Sequence, residues 1–271
     1  MESVGNDFVL VHLDDLPADE EFLVSLAVKT SDRHFGIGSD GLLAVRPAGR
    51  NAILLRMFNP DGTEDFCGNG LRCAIAHALG EGWLEPGGFV VEHFGKRIEG
   101  SVDADGGLFY RFEPASYDPA AIPTAAPGEL FDTELFEIEG KAYRGSVLST
   151  GTAHTILPVS ELPGDDEFFR VSPAIETHPL FPERTSVMWV KEEAGSKLRL
   201  RIWERGAGET WGCGSGSAAA AVDYLRRKRL KEECVQVANP GGVLEFRFDA
   251  WNEPGFSYGP AREVFRGCFH A

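Results

Sequence analysis

The chain has 271 residues, enough for one large or two medium domains, and 43% of them are hydrophobic, which supplies a core and argues against disorder. Its 26 basic against 42 acidic residues give a net charge of −16, a field that repels nucleic acid and anionic membranes. No run of about 18 apolar residues is present to cross a bilayer. The opening Met1-Glu2-Ser3-Val4-Gly5-Asn6 lacks the basic and apolar regions of a signal peptide, so a cytoplasmic location is expected.

In chain order, Phe8–Val11 reads as a strand. Residues 20–29 carry helical spacing, with Phe22, Leu23, Leu26 and Ala27 on one face. Strands follow at 41–46 and 53–58, and then a turn at Asn59-Pro60-Asp61-Gly62. After Cys67-Gly68-Asn69-Gly70, the positions Leu71, Ala74, Ile75, Ala78 and Leu79 mark a buried helix. Strands are expected at 89–92, 97–102 and 108–113, the last two joined at Asp105-Gly106-Gly107. Prolines 114, 119, 123 and 127 mark a linker.

The second half is expected to hold strands at 136–138 and 143–148 and a short helix at 173–177, broken by Pro179. A half-buried strand, Leu198–Ile202, leads to Glu204-Arg205-Gly206 and Cys213-Gly214-Ser215-Gly216. A second buried helix covers 218–230, and strands at 235–237 and 243–248 form a hairpin. The basic run Arg226, Arg227, Lys228, Arg229, Lys231 reads as a solvated helix end favoured by the dipole.

Five cysteines, Cys67, Cys73, Cys213, Cys234 and Cys268, make an odd count without C-x-x-C spacing, so neither a disulfide framework nor a structural zinc site is expected. What stands out is repetition. Each half runs from strands through an acidic turn and Cys-Gly-x-Gly into a helix and a hairpin. The pattern implies two topologically similar α/β domains.

Glycines after each cysteine let a ligand approach the backbone. A helix starting there points free N–H groups and a positive dipole end at the site. Such a field lowers a thiol pKa and holds a carboxylate. Two such sites suit an amino acid gripped between two thiols, one removing the α-proton while the other returns a proton to the opposite face, with no cofactor and no metal. One motif alone would be read as an ordinary buried cysteine.

The chain resembles the diaminopimelate epimerase family. The resemblance rests on Gly5-Asn6-Asp7-Phe8, Asp32-Arg33-His34-Phe35-Gly36-Ile37-Gly38-Ser39-Asp40, Phe58-Asn59-Pro60-Asp61-Gly62-Thr63-Glu64, Cys67-Gly68-Asn69-Gly70-Leu71-Arg72-Cys73, Phe181-Pro182-Glu183-Arg184-Thr185, Glu204-Arg205-Gly206-Ala207-Gly208-Glu209-Thr210 and Cys213-Gly214-Ser215-Gly216. It implies an isomerase that interconverts LL- and meso-diaminopimelate without pyridoxal phosphate, with Cys67 and Cys213 as the acid/base pair. Asn6 and Asn59 would contact substrate. Gly68 with Asn69 and Gly214 with Ser215 would cradle the reacting carboxylate. Glu204 would face the α-amino group, Arg205 would grip a carboxylate, and His154 would stand beside the reacting centre.

The implied fold is α/β of the α+β type, with two pseudosymmetric domains, each a mixed, strongly curved sheet around a central helix. Residues 1–115 with 258–271 would form the first domain and 116–257 the second, with the active site in the cleft between them. A last strand near Val264-Phe265 would return to the first domain. A homodimer is also implied. Families of this kind usually begin a few residues earlier, so the natural start is expected upstream of Met1.

Departures gather at the end of the substrate away from the reacting carbon. Thr152 and Ser186 stand where the family usually has asparagines. Gly41 replaces a frequent Gln, and Phe66 precedes Cys67 in a turn one residue shorter than in many members. Racemisation of a different amino acid is therefore the alternative reading, and Met188, Trp189 and Trp211 are candidates for a more apolar pocket. Each site residue also has an ordinary structural role open to it: turn residues for Asn6 and Asn59, a surface ion pair for Arg205, a core histidine for His154. Cys73, Cys234 and Cys268 are assigned to packing. Two further readings come from other classes. Gly36-x-Gly38-x-x-Gly41 and Gly214-x-Gly216-x-x-Ala219 match a dinucleotide-binding pattern by letter but not by context. A non-catalytic amino-acid-binding domain would need the cradle but not the thiols.

Overall fold

Three of the four α-helices among the described residues begin where a side chain closes the first turn. In the computed structural model, which describes residues 1–17, 19–102, 107–231 and 233–269, Asp19 caps the helix α1 (Glu20–Ser31) by accepting from Glu21 N–H at 3.1 Å. Cys67 caps α2 (Gly68–Gly80), and its sulfur accepts from Gly70 N–H. Gly164 precedes α3 (Asp165–Glu176), which carries three acidic residues in its first turn. Cys213 caps α4 (Gly214–Lys228) as Cys67 caps α2.

Contacts divide the chain into two compact units, Met1–Arg111 with Tyr258–Ala271, and Phe112–Ser257. In the first, β1 (Glu2–Ser3) pairs with β2 (Asn6–Asp7). Its main sheet runs β3 (Val9–His12), β4 (Leu42–Pro47), β5 (Ala52–Phe58), β6 (Gly87–His93), β7 (Lys96–Val102), β8 (Leu108–Phe112). The pairs β3/β4 and β5/β6 are parallel and the others antiparallel. A parallel neighbour needs a crossover connection, and α1 and α2 supply the two. Leu23, Leu26 and Ala27 of α1 bury against Leu42, Ala44 and Phe58.

The second unit repeats that grammar. Its strands are β9 (Thr133–Ile138), β10 (Lys141–Ser149), β11 (Ala153–Val159), β12 (Ser186–Glu193), β13 (Lys197–Glu204), β14 (Gly208–Glu209), β15 (Glu233–Asn239), β16 (Gly242–Phe248) and β17 (Gly255–Tyr258). The pairs β11/β12 and β13/β15 are parallel, joined by α3 and α4, while β12/β13 and β15/β16 are antiparallel. Thus β3-α1-β4-β5-α2-β6-β7 corresponds element by element to β11-α3-β12-β13-α4-β15-β16. Strands β10, β11, β12, β13, β15 and β16 all touch α4, so the mixed sheet curves around it. The buried run Ala218–Ala221 lets them approach closely.

Several expectations need correction. Strands β11 and β12 carry no period-2 signal because both faces are covered: Ala153–Leu157 and Ser186–Val190 are buried throughout. Helix α3 starts well before residue 173, and Pro173 lies inside it, late enough to cost one backbone hydrogen bond. Val264 and Phe265 form no strand and are exposed; this end is held by the backbone bridge between Glu2 and Arg262, by Ser3 Oγ donating to Pro260 O and by the Arg266–Glu81 ion pair. The basic run is not a freely solvated end. Arg226 stacks on Tyr117, Phe131 and Trp251 within 4.5 Å, and Arg227 pairs with buried Asp223. Cys73 is buried as expected, but Cys234 and Cys268 are exposed. Both dinucleotide-like glycine patterns lack the needed context, since Gly41 leads into strand β4 and Gly214 already lies in α4. Of the turn at Asp105-Gly106-Gly107, the first two residues lie outside the described residues.

Candidate active site

Cys67 takes an extended backbone (φ −134°, ψ 115°) before α2 turns. Its Sγ accepts from Gly70 N–H at 3.4 Å and donates toward Asn6 Oδ1 at 3.8 Å. Asn6 joins the site from β2, where its Nδ2 donates to Asp40 Oδ2 at 2.5 Å and its Oδ1 accepts from Asn69 Nδ2 at 3.3 Å. Beneath them lies Arg72, wholly buried, which donates to Ser3 Oγ at 3.1 Å, to Tyr110 Oη at 3.3 Å and to Asn69 Oδ1. Asn69 is thereby fixed in orientation. A methyl group added at Gly68 would lie 2.6 Å from Tyr110 Oη, so only glycine fits at that approach. Asn59 is engaged in its own turn, where it donates to Thr63 Oγ1 at 3.0 Å.

The second unit places Cys213 the same way (φ −121°, ψ 110°), its Sγ accepting from Gly216 N–H at 3.3 Å with Ser215 Oγ at 3.5 Å. Glu204, at the end of β13, bonds the Cys213 thiol and accepts from Thr210 Oγ1 at 2.5 Å. Thr150 Oγ1 holds the Ser215 carbonyl at 3.0 Å. His154 on β11 stands in register with Ser186 on β12. Its Nε2 is 3.1 Å from Thr152 Oγ1, and its Nδ1 is buried without a hydrogen-bond partner among the described residues. Ser186 Oγ accepts from Arg205 N–H at 3.1 Å, and Arg205 Nη1 donates to Glu183 O at 3.1 Å. Met188 and Trp189 belong to the core, Met188 Cε pressing within 2.4 Å of where a Cβ on Gly216 would lie. Trp211 is 66% exposed.

The electrostatics correct one expectation. Burial, reinforced by the Glu204 carboxylate, pushes the Cys213 thiol well above its ordinary range, outweighing the Ser215 hydroxyl and the Gly216 amide. Burial and the carboxylate thus favour the protonated thiol over the thiolate at this helix N-terminus. Burial also pushes Cys73 up to about 12, as an inert core thiol requires. His154 falls to about 3 through burial and the neighbouring Arg205, so it is a neutral hydrogen-bonding group.

Two residues escaped the sequence reading. His93, the last residue of β6, receives the Cys67 backbone N–H on Nε2 at 3.4 Å. Asn239, the last residue of β15, receives the Cys213 N–H on Oδ1, also at 3.4 Å. Each lies 26 positions after its cysteine, an equality that was available as a signal.

Two units of one strand grammar, each delivering a helix capped by cysteine, define a pseudosymmetric α/β scaffold. The same fold occurs in a PhzF-family phenazine biosynthesis protein of Bacillus anthracis (TM-score 0.64, 19% identity, 96% of this chain and 91% of that one). It occurs also in a hydroxyproline epimerase of Agrobacterium vitis (TM-score 0.63, 13% identity, 95% and 86%). The family model described as diaminopimelate epimerase matches residues 1–117 and 146–264. Diaminopimelate epimerases of Moorella thermoacetica and Halorhodospira halophila are each 37% identical to the chain, over 99% and 98% of it and 97% and 92% of their own lengths. The chain belongs to the diaminopimelate epimerase family and is an isomerase.

Proposed function

We propose that the chain interconverts LL- and meso-diaminopimelate, an amino acid of lysine and peptidoglycan-precursor biosynthesis, by two-thiol proton transfer. The observation that carries this reading is the matched capping of α2 and α4 by Cys67 and Cys213. In each, the sulfur accepts from the third helical N–H, and the first amides of a helix point along the axis toward an anion.

The substrate α-carboxylate lies on the N–H groups of Gly68 and Asn69 and of Gly214 and Ser215, and its α-ammonium faces Glu204. Cys67 Sγ, once the proton it directs at Asn6 Oδ1 has gone to solvent, is a thiolate and takes the α-proton; the electron pair left on carbon spreads into the carboxylate, where the fixed N–H dipoles stabilise it. Cys213 Sγ–H then gives its proton to the opposite face. The turnover ends with Cys67 protonated and Cys213 a thiolate, the state that accepts the other epimer. The raised Cys213 thiol supports the choice of proton donor for the first direction. His154 acts as a neutral orienting group, and Arg205 and Asn59 bind carboxylate and polar ends. A cytoplasmic homodimer is part of the same proposal.

A second reading has one observation in its favour. The Ser186 and Thr152 hydroxyls are already held by Arg205 N–H and by His154, which leaves them less to offer the distal end of diaminopimelate. The test is loss of the α-proton signal in deuterium oxide, with neither pyridoxal phosphate nor metal added, across diaminopimelate, lysine, ornithine, glutamate and histidine. Exchange fastest with diaminopimelate is expected. Exchange only with another amino acid replaces the substrate, and exchange with none removes the activity.

A further inference from the structure

The two cysteines sit in equivalent places, yet the groups that anchor their backbones differ in kind. His93 and Asn239 each end the strand after the cysteine-capped helix, and each opens a two-residue hairpin, with the register pairs His93↔Lys96 and Asn239↔Gly242. Each accepts its cysteine's N–H across the same 26 positions. This N–H belongs to the N-cap residue, outside the helical hydrogen bonds, so its acceptor fixes where the cap and its sulfur stand.

The difference follows from the next turn of each helix. Asn239 Oδ1 takes two donors, Cys213 N–H and the Ser217 hydroxyl at 2.9 Å. Ser217 is the fourth residue after Cys213, and its counterpart after Cys67 is Leu71, whose side chain has no donor. One lone pair is sufficient there, and the imidazole supplies one. Its other nitrogen, Nδ1, lies 3.2 Å from the Leu55 carbonyl, which fixes the tautomer with the proton on Nδ1 and the lone pair on Nε2.

We propose that His93 is a positioning residue for Cys67: its neutral imidazole seats the thiol, and its protonation unseats it, so that one arm of the pair answers to acid while the Asn239 arm does not. A second proton on Nε2 would set N–H against N–H at Cys67. The proposal rests on the reading of Cys67 as an acid/base group.

The surroundings of His93 hold the ring neutral at pH 7. It is 1% exposed, and burial depresses its basicity more than any neighbour restores it. The Glu64 and Asp65 carboxylates on the loop before α2 favour the proton, as does the Leu55 carbonyl of β5, while Lys96 of β7 opposes it. Glu64 is already paired with Arg56 at 2.6 Å. The Phe66 ring stacks on the imidazole with ring centres 5.1 Å apart. The departure at Phe66, which precedes Cys67, thereby gains a physical role as the cover of the proton-sensitive anchor.

The experiment compares His93→Asn and His93→Phe with the wild type in kcat and KM against pH. Alongside, it follows the rate at which iodoacetamide alkylates Cys67 in the free enzyme, read by peptide mass spectrometry. Phe should lower kcat about tenfold or more with KM within about threefold, since a displaced proton-transfer group hurts chemistry more than binding. Asn, which copies the Asn239 arm, should recover kcat to within about threefold of wild type and move the acid limb of both kcat and alkylation to lower pH. The idea is overturned by His93→Phe with kcat within twofold of wild type, or by an acid limb in His93→Asn that coincides with the wild-type limb. Absence of exchange by the wild type with every amino acid would remove the proposed activity, and the alkylation profile would still decide the role of His93.

Discussion

At the residue scale the two halves prepare their thiols differently. Cys213 is buried beside a carboxylate and keeps its proton; Glu204 contributes to that directly. Glu204→Gln should therefore speed alkylation of Cys213 at pH 8, although the variant loses its hold on the α-ammonium; an unchanged or slower rate would show that the carboxylate does not act on the thiol. Thr210→Val removes the hydroxyl on Glu204 Oε1. A hydrogen bond to a charged group is worth about 1.5–3 kcal/mol. Steady-state kinetics should show kcat/KM reduced at least about tenfold with the melting temperature little changed, and an unaltered kcat/KM would place Glu204 outside the binding set.

Much of this scale was legible in the chain. Cys67, Asn69 and Asn6 come together as their motifs implied, and Glu204 stands by Cys213. Asn59 is the exception so far as contacts go, for it closes its own turn. His93 and Asn239 were missed because their contacts form only when a hairpin end folds back on a helix cap. No local pattern of hydropathy or spacing reports such a contact, and a comparison of the two halves was needed to see it.

At the element scale, the helix N-terminus is the working part. α4 needs glycine at 216 because a Cβ there would lie 2.4 Å from Met188 Cε and 3.1 Å from Cys213 Sγ. Gly216→Ala brings helix propensity of about 1 kcal/mol against an overpacking cost of about 1–3 kcal/mol. Urea unfolding should thus move modestly, while activity should fall at least about tenfold because the sulfur is displaced. Gly80→Ala is the control: the space beside Gly80 is open, so stability should rise slightly and activity stay intact. Equal activity in both variants would contradict the account of the cap. Helices α2 and α4 are readable because their amphipathic spacing follows the glycine motif directly. Strands β11 and β12 are not, since covering both faces erases alternation, and α3 is legible only in its last turn because Pro173, a late interior residue, reads as a boundary.

At the scale of the whole molecule, two buried neutral histidines make stability depend on pH. The folded state holds His93 and His154 below their ordinary value near 6.5, His154 at about 3. The unfolded chain therefore takes up protons first as pH falls. The stability these groups confer is complete above about pH 6.5 and is lost from there downward. The slope is up to about 1.4 kcal/mol per pH unit for each group, ending for His154 near pH 3. Urea midpoints should drop between pH 7.5 and 5, and less steeply in His93→Asn; midpoints that stay level would contradict the neutral buried state. The strand grammar common to the two units explains why a repeat was visible in the chain as a rhythm of motifs without residue identity. Topology is shared, whereas the side chains that tune each thiol are not.

The central claim is that two thiols, and no other acid or base, move the α-proton. It is tested most directly by following diaminopimelate in deuterium oxide by NMR with wild type, Cys67→Ala and Cys213→Ala, each checked for folding by circular dichroism. The account predicts α-deuteration with epimer formation for the wild type, and epimer formation reduced at least about a thousandfold for either variant, in line with the loss of an essential proton-transfer group. Epimer formation within tenfold of wild type in either folded variant would contradict it.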